Sequence, residues 1–592
     1  MVKIFKYLKR HEWMLVLFSL AFIVVQVWLD LRLPDYMAEI TTKLQMEGSK
    51  ISDLLIPGGY MLLCAVGSMI ASIIVGYFAA RVAAGLAMRL RGMVFDKTLS
   101  FSMEEINGFS TASLITRSTN DVTQIQTVVA LGLQVMIKAP ILAVWAIVKI
   151  ADKNWQWTAS TGAAVAVLIL MLSVIIIFAL PKFKKIQQLT DNLNRVTREN
   201  LTGLRVVRAY NAEPHQEAKF EQANIELTKT NLFANRLMAM IGPGMTFIMS
   251  GLSVAIYWIG AYLINAAAVP DRITLFSNMV VFSSYAMQVV MAFMMVSMIF
   301  IMMPRASVSA KRIMEVLNTE AKIVDGKETA GKAELTGQVE FRNVSFKYPD
   351  AEEPVLRNIS FTARRGETVA FIGATGSGKT SVINLIPRFY DTTEGEVLVD
   401  GVNVKNYTQE ALHNKIGYVP QRAVLFSGTV TSNVAYGDNG KGANGKPGMS
   451  EELVKKAVEI AQGAEFVENM EGQYEGQIAQ GGTNVSGGQK QRLSIARAIY
   501  RQPEIYIFDD SFSALDYKTD RILRSALKQQ TGDATTLIVA QRIGTIKDAD
   551  RIIVLENGEI VGSGTHEELM DNCGTYQEIA YSQLSKEELV HG

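Results

Sequence analysis

The stretch Gly373-Ala374-Thr375-Gly376-Ser377-Gly378-Lys379-Thr380 decides the fold of the C-terminal half of the chain. It fits the phosphate-loop pattern in full, with a glycine, four residues and then Gly-Lys-Thr. Its glycines let backbone N–H groups surround a β-phosphate, and a helix predicted from Ser381 onward adds positive charge at its N-terminus. Lys379 would reach the β- and γ-phosphates, and the Thr380 hydroxyl is placed for Mg²⁺. The stretch therefore predicts a site for a nucleoside triphosphate with Mg²⁺.

The segments around this loop alternate between strand-like and helix-like patterns, which is typical of an α/β domain. We predict strands over Val339–Tyr348, Ile359–Ala363, Glu367–Ile372, Glu396–Val399 and Ile505–Phe508. The last strand leads directly into Asp509 and Asp510. In phosphate-loop enzymes the first such carboxylate approaches Mg²⁺, usually through water, although two solvated carboxylates at a strand end are the plainer interpretation.

A second anion cradle is predicted at Ser486-Gly487-Gly488-Gln489, directly before the helical segment Lys490–Tyr500. Its small residues and the helix N-terminus after them suit a phosphate. A domain that binds one nucleotide has no use for two cradles. We therefore expect the second cradle to serve an ATP bound to another copy of the domain.

The N-terminal half of the chain is apolar. Across the 592 residues, 49% are hydrophobic and 19% charged, below the roughly 25% charged residues of soluble domains. Any single apolar run could be a buried core helix, but together the runs predict six membrane spans. They lie at about 14–33, 57–80, 128–150, 157–180, 245–266 and 274–303. The fold class is therefore a multi-pass α-helical membrane domain followed by an α/β phosphate-loop domain.

Charge and cysteine content exclude several other functions. The net charge is +1, so no basic excess indicates nucleic acid, and six spans exclude a soluble nucleic-acid ATPase. Cys64 and Cys573 are the only cysteines, too few for a metal cluster and too far apart for a plausible disulfide.

The basic residues predict the orientation. Lys3, Lys6, Lys9 and Arg10 precede the first span, and further basic residues follow the second and fourth spans. The positive-inside rule places both termini and the long loops 82–127 and 182–242 in the cytosol. We expect these loops to extend the spans as helices that turn near Met103–Thr111 and Glu213–Phe220. These turns are either solvated connections or a contact surface for the soluble domain.

The division into domains follows the composition: a membrane domain over 1–320, a polar linker over 321–336 and a nucleotide-binding domain over 337–592. The Gly-rich stretch Gly437–Gly448 is predicted to be a loop. Lys138 is the clear charge inside a span, and it either faces a cavity or reaches the cytosolic interface. Asp30 and Arg32 are expected at an interface. The methionines of the sixth span, from Met287 to Met303, either line an adaptable cavity or pack against lipid and core.

These motifs, in this order and spacing, resemble those of the ATP-binding cassette (ABC) transporters, and the whole chain resembles a half-transporter of the exporter type. The resemblance implies that Tyr348 stacks on adenine and that Gln421 touches Mg²⁺ and the membrane-domain contact. It implies that Ser486–Gln489 closes on the opposite subunit's γ-phosphate and that Asp516 crosses the dimer interface. Met103–Thr111 and Glu213–Phe220 would lie near the two coupling helices.

Four residues depart from the family pattern. Asp510 stands where the family usually has Glu as general base, and Gln541 stands where it usually has His. An aspartate is one methylene shorter, and glutamine carries no charge and relays no proton. Gln480-Gly481 replaces the Glu-Arg of many exporters. The first two departures predict a site that binds ATP but hydrolyses it slowly.

Such a chain resembles the degenerate-site subunit of bacterial heterodimeric multidrug exporters. The resemblance implies a non-identical partner half-transporter with the usual Glu and His, hydrophobic or amphipathic small-molecule substrates and a location in the bacterial cytoplasmic membrane. The alternatives are a homodimer with weak hydrolysis, a lipid or peptide translocator, and a membrane-anchored ATP sensor that transports nothing.

Overall fold

The computed structural model describes residues 2–45, 50–151, 153–437, 450–530 and 532–583. The Gly-rich stretch 437–448 lies outside these ranges except for Gly437. The chain forms two compact units. The first contains 1–99 and 112–319, and the second contains 100–111 and 320–592.

The first unit is helical, and within the described ranges six of its helical segments are long and apolar enough to cross a membrane. Five of the six predicted spans lie within one of these segments, and the sixth, 274–303, begins in the segment Asp271–Val296 and extends beyond it along the helix Val269–Asn318. The predicted fold class of this half is confirmed. The helices of this unit are Val2–Phe5, Arg10–Leu44, Ile51–Leu99, Thr111–Ser118, Asn120–Leu131, Lys138–Ala151, Trp155–Thr202, Leu204–Ala209, Glu213–Ala239, Ile241–Ala266 and Val269–Asn318.

The third span is not a uniform α-helix. A π-helical turn, Gly132–Met136, separates Asn120–Leu131 from Lys138–Ala151. Pro140 explains the turn, because it has no N–H to donate to the carbonyl of Met136 four residues earlier. The backbone widens there instead of forming a regular α-helical ladder.

The charges inside the spans are paired. The Lys138 ammonium lies 3.1 Å from one carboxylate oxygen of Asp30. The other oxygen of this carboxylate accepts a hydrogen bond from the Ser68 hydroxyl. The Lys149 ammonium lies 2.8 Å from Asp35 in the same way. Neither pair was predicted from the sequence, where Lys138 had two candidate environments without a partner and Asp30 was expected at an interface.

The two predicted turning points differ. Met103–Phe109 is a short helix that packs with the nucleotide-binding unit. The prediction for Glu213–Phe220 is displaced, because Glu213 begins a long helix and the chain reverses before it, around the short helix Leu204–Ala209. Pro214 at the start of the long helix explains the boundary, since proline is tolerated in a first helical turn.

The described part of the second unit contains twelve strands in three sheets. They are β1 (Val339–Phe346), β2 (Leu356–Ala363), β3 (Thr368–Gly373), β4 (Glu394–Val399), β5 (Val402–Asn403), β6 (Ile416–Val419), β7 (Gly428–Thr429), β8 (Gln477–Ile478), β9 (Ile505–Asp509), β10 (Thr535–Val539), β11 (Arg551–Glu556) and β12 (Glu559–Gly564). The sheet orders are β2-β1-β4-β5, β12-β11-β3-β10-β9-β6 and β7-β8. The α/β prediction is confirmed.

The helices of this unit lie between and after these strands. They are Met103–Phe109, Lys379–Leu385, Gln409–Asn414, Val430–Val434, Glu451–Ile460, Ala464–Glu468, Gly487–Arg501, Tyr517–Gln530, Ile543–Ile546, His566–Asn572 and Gly574–Gln583.

Parallel pairing of the large sheet positions the site. β3 pairs in parallel with β10 and β11, and β9 pairs in parallel with β10 and β6. The carboxyl ends of these strands therefore meet at one edge, where ligands bind in open α/β sheets. Gly373 ends β3 and Asp509 ends β9 at that edge.

The segment predicted as a linker is held against the nucleotide-binding domain by backbone hydrogen bonds. The N–H of Gly326 donates to the carbonyl of Tyr407 at 2.8 Å, and that of Lys332 donates to the carbonyl of Asp400 at 2.9 Å. Its residues belong to the larger part of the second unit, which runs from Glu320 onward, after the long helix ends at Asn318.

Candidate nucleotide site

The phosphate loop turns sharply between β3 and the helix Lys379–Leu385, which begins two residues before the predicted start at Ser381. Gly378 is left-handed, with φ of +97°. A Cβ there would lie 2.6 Å from the Leu356 side chain and 3.2 Å from the carbonyl of Val355. The position therefore requires glycine both for its backbone angle and for the space around it.

Lys379 is the buried cation of this loop. Its ammonium donates to the carbonyls of Gly373 at 2.9 Å and Ala374 at 2.8 Å. Burial lowers its pKa, and the carboxylates of Asp510 and Asp509 act against that shift. The loop thus holds one cation at the helix N-terminus, where a phosphate is also favoured by the exposed N–H groups.

Thr380 and Asp509 form the part of the site suited to Mg²⁺. The Thr380 hydroxyl donates to an Asp509 carboxylate oxygen at 3.0 Å, across the gap between two strands. Burial raises the pKa of Asp509, while the Thr380 hydrogen bond acts in the opposite direction. Mg²⁺ is usually bound by one or two protein oxygens and by substrate phosphates, so this pair fits the ion.

Asp510 is clamped by two glutamine amides. One of its carboxylate oxygens accepts from the Gln421 amide at 3.1 Å and from the Gln541 amide at 2.9 Å. The structure therefore brings together both non-consensus residues and the residue predicted to touch Mg²⁺. Gln421 points its nitrogen at Asp510, which leaves its amide oxygen as the atom that could face a metal.

The Asp510 backbone is also unusual. Its φ is +45°, its N–H donates to the carbonyl of Val539 at 2.9 Å, and its carbonyl accepts from the Ser513 hydroxyl at 2.8 Å. Burial raises the pKa of the carboxyl, against which the Gln421 hydrogen bond acts. Sequence reasoning did not predict this role for Ser513, although the residue opens the stretch Ser513-Ala514-Leu515-Asp516, which resembles a family motif.

Tyr348 lies just after β1, which ends two residues earlier than predicted. Its hydroxyl lies 3.0 Å from that of Ser381, and its ring meets that of Tyr390 edge to face at 5.2 Å. The Asn107 amide of the short helix Met103–Phe109 donates to the Tyr390 hydroxyl at 3.4 Å. Tyr390, which sequence reasoning missed, thus connects the helix Met103–Phe109 with the predicted adenine contact within the second unit.

The Met103–Phe109 helix has further contacts within the second unit. Glu105 accepts from the backbone N–H of Lys322 at 3.3 Å, and Glu104 pairs with the Lys322 ammonium. The Ser102 hydroxyl and Glu105 cap the helix reciprocally. Of the two predictions for this stretch, contact surface or solvated connection, the structure fits the contact surface.

The second predicted cradle is the start of the helix Gly487–Arg501. The Ser486 hydroxyl accepts from the N–H of Gln489 at 3.3 Å, and the Gln489 side chain accepts from the N–H of Ser486 at 2.9 Å. Ser486 and Gly487 are exposed, and a Cβ on Gly487 would meet nothing within 4 Å. The cradle therefore presents a capped, open helix N-terminus to the surface of the domain.

Local hydrogen bonds and backbone angles explain two further residues, Asp516 and Gly481. Asp516 is exposed and accepts from the N–H of Thr519 at 3.0 Å, a backbone hydrogen bond that lowers its pKa at the start of the helix Tyr517–Gln530. Gly481 has φ of +69° and donates its N–H to the carbonyl of Leu425. This left-handed backbone accounts for the glycine that stands where many exporters have arginine.

Comparisons with known proteins agree with this architecture. The family model described as ABC transporter transmembrane region matches residues 16–293, and the model described as ABC transporter matches residues 356–513. An ABC transporter ATP-binding protein of Mycobacterium tuberculosis is 41% identical over 528 residues, which cover 89% of this chain and 87% of that protein. The ATP-dependent lipid A-core flippase of Syntrophus aciditrophicus is 31% identical, with 88% and 83% covered.

A solved structure, that of a bacterial Atm1-family ABC exporter with ATP bound, shares the fold with a TM-score of 0.78. The match is 23% identical in sequence and covers 97% of this chain and 100% of the chain of the solved structure. The chain belongs to the ABC transporters. It combines a membrane region and an ATPase domain of an ABC transporter in one polypeptide, with the fold of an ABC exporter.

Proposed function

We propose that this half-transporter forms the degenerate-site subunit of a heterodimeric exporter. Its own phosphate loop binds ATP with Mg²⁺ and hydrolyses it slowly, and its Ser486–Gln489 cradle completes a fast site on an unlike partner. The observation that carries the proposal is the Asp510 carboxylate oxygen held by two amides, at 3.1 Å from Gln421 and 2.9 Å from Gln541.

A general base must offer a free lone pair to the attacking water. The clamped oxygen of Asp510 already accepts two N–H groups, and its side chain is one methylene shorter than glutamate. Positioned general bases contribute about 10²–10⁴ in rate. Gln541 adds a neutral donor where a histidine could add positive charge. Asp510 and Gln541 therefore do not replace the glutamate and histidine that the family usually has at these positions.

The residues that bind nucleotide are intact by contrast. Tyr348 would stack on the base, Lys379 would neutralise the phosphates, and Thr380 with Asp509 would hold Mg²⁺, with Gln421 nearby. Mg²⁺ would neutralise charge on the phosphate oxygens. The chain therefore keeps tight binding but lacks a well-placed base and a charged switch residue.

The cradle supports the second half of the proposal. Ser486 and Gln489 satisfy the first turn of the helix Gly487–Arg501, while Gly487 leaves room for a phosphate to approach. A helix N-terminus favours negative charge. On the partner, we expect this cradle to face a nucleotide whose base is glutamate and whose switch residue is histidine.

For location, we propose the bacterial cytoplasmic membrane, with both termini and the ATPase domain in the cytosol. The support is the cluster of basic residues before the first span and in the loops after the second and fourth. Closure of the two ATPase domains on ATP would open the membrane domains outward, and hydrolysis at the fast site would reset them.

For substrates, we propose hydrophobic or amphipathic small molecules. The support is that Asp30 with Lys138, and Asp35 with Lys149, neutralise each other in the described membrane unit. Charges paired in this way do not select a strongly ionic substrate. Lipid translocation is the second candidate, favoured by the flippase of Syntrophus aciditrophicus, which is 31% identical to this chain.

The experiment compares Asp510→Asn with Ser486→Arg in the complex purified with the product of the adjacent gene. If Asp510 is not an effective base, Asp510→Asn leaves ATP turnover within about twofold. Ser486→Arg removes phosphate stabilisation at the fast site and lowers turnover by about 10²–10³, as loss of one oxyanion donor does.

Ser450→Arg is the matched control, because Ser450 also caps a helix, accepting from the N–H of Leu453 at 3.3 Å. It reports the cost of losing a cap without touching nucleotide. Equal losses in Asp510→Asn and Ser486→Arg would contradict the assignment of the two sites. A chain that alone forms a homodimer with full turnover would favour the homodimeric alternative.

A further inference from the structure

An apolar cavity of about 280 Å³ lies within the membrane unit, near the start of the first span. This volume is close to the roughly 300 Å³ at which small-molecule pockets begin. Its lining comes from the N-terminal segment and from the helices of the first, second, third and sixth spans, and includes Phe5, Trp13, Val16, Val82, Gly132 and Met303. No charged side chain is among these described residues.

The π-helical turn shapes one wall of the cavity. Gly132, Leu133 and Met136 all belong to Gly132–Met136 and all line it. Pro140 imposes this turn, so the wall is built into the sequence rather than left by loose packing. π-Helical turns frequently mark functional positions.

A clamp fixes the N-terminal segment, which supplies Phe5 and Leu8 to the lining. The Arg89 guanidinium bonds both carboxylate oxygens of Glu12, at 2.9 and 3.1 Å, and also donates to the carbonyl of Tyr7. Glu12 sits where Gly85 leaves room, since a Cβ there would lie 2.5 Å from its carboxylate. The N-terminal segment is therefore pinned to the second span beside the cavity.

The same N-terminal segment separates charge from apolar surface. Ile4 is buried and Phe5 and Leu8 are half-buried, whereas Lys3 and Lys6 are exposed, as are Lys9 and Arg10. None of these four cations has an ion-pair partner among the residues that the structure describes. Four unpaired cations thus lie on the segment that supplies part of a dry, apolar cavity.

We propose that this cavity binds an acyl chain of an anionic phospholipid, whose phosphate is held by Lys3, Lys6, Lys9 and Arg10. The apolar lining suits a hydrocarbon chain, and basic residues at a membrane surface attract anionic headgroups. A free phosphate would gain nothing from the apolar wall, and a protein segment would leave the adjacent cations without a counter-charge. That the lipid comes from the cytosolic leaflet rests on the proposed orientation; the lipid class does not.

Trp13, which is 50% exposed and lines the cavity, provides the reporter. The purified transporter is placed in phosphatidylcholine bilayers that contain a small fraction of either phosphatidylglycerol or phosphatidylcholine with brominated acyl chains. Bromine quenches nearby tryptophan. The Trp13 signal is the difference between the protein and its Trp13→Phe variant, and the control signal is the same difference for Trp258→Phe, at a 76% exposed residue.

We expect brominated phosphatidylglycerol to quench Trp13 at a lower mole fraction than brominated phosphatidylcholine, while Trp258 does not distinguish the two lipids. Replacing Lys3, Lys6 and Lys9 by glutamine should weaken the preference by about fivefold per lysine. Val16→Phe, which fills the cavity, should reduce quenching of Trp13 by both lipids.

Equal quenching of Trp13 by the two lipids would overturn the proposal, and this comparison needs no variant other than Trp13→Phe. An unchanged preference in the triple glutamine variant would also overturn it, because the phosphate would then be held elsewhere. An unchanged Trp258 signal in each variant shows that the membrane unit is folded before quenching of Trp13 is compared.

Discussion

Lys138→Met tests whether the ion pair inside the spans stabilises the membrane unit. Lys138 and Asp30 lie 3.1 Å apart, with side chains only 19% and 26% exposed, and Ser68 donates a further hydrogen bond to Asp30. Methionine keeps the length of the lysine side chain but removes its charge. Asp30 would then keep the Ser68 bond but lose its counter-charge.

The size of the effect follows from burial. Removing one partner of a fully buried pair costs about 3–5 kcal/mol. Because both side chains are partly exposed in the single chain, we expect a smaller cost of about 2 kcal/mol for Lys138→Met. Asp30→Asn combined with Lys138→Met removes both charges, so it should restore most of that loss.

Reversible unfolding in detergent, followed as a double-mutant cycle, measures this coupling. Lys43→Met is the matched control. Lys43 pairs at 2.7 Å with Glu39 on the helix Arg10–Leu44, which also carries Asp30, but this pair is exposed. Exposed pairs on helices contribute about 0.3–0.5 kcal/mol. If Lys138→Met cost no more than Lys43→Met, or if the double variant were no more stable than Lys138→Met, the account of this pair would be refuted.

Three further predictions concern the nucleotide site. Burial raises the pKa of Asp510, so the contribution of this carboxyl to stability is present at low pH and is lost as pH rises through the raised pKa. Asp510→Asn should therefore raise the melting temperature of the nucleotide-free protein at neutral pH, and the gain should shrink in acid. A series of melting curves at different pH values measures this. Gly378→Ala combines about 1–2 kcal/mol of left-handed strain with a clash against Leu356 and should weaken ATP binding at least tenfold in calorimetry. Tyr348→Ala should weaken ATP binding by about 1–3 kcal/mol of lost base stacking, whereas Tyr348→Phe should not; equal effects would instead implicate its hydroxyl.

Local chemistry was predictable from the sequence. The phosphate loop needs glycine, lysine and threonine at fixed spacing, so the spacing alone predicts roles for Gly378 and Thr380, and these roles stay predictions. The six apolar segments were predictable for the same reason, because crossing a membrane requires an uninterrupted length of apolar helix. Such requirements act over a few residues and leave a direct pattern.

Contacts between distant segments were not predictable in this way. Nothing near Lys138 in sequence indicates Asp30, which lies on another helix, and nothing near Asp510 indicates that Gln421 and Gln541 both point at it. Tyr390 was missed because its role depends on Asn107 from the distant helix Met103–Phe109. Pro140 did offer a local signal for the π-helical turn, since a proline inside a span disturbs the helix before it.

The central claim is that this chain holds ATP without splitting it quickly. The most direct measurement uses the assembled transporter during turnover, with photoreactive azido-ATP labelled on either the α- or the γ-phosphate, and compares the label on each subunit. We expect this chain to retain both labels equally, while the partner loses the γ-label. Loss of the γ-label from this chain as fast as from the partner would contradict it.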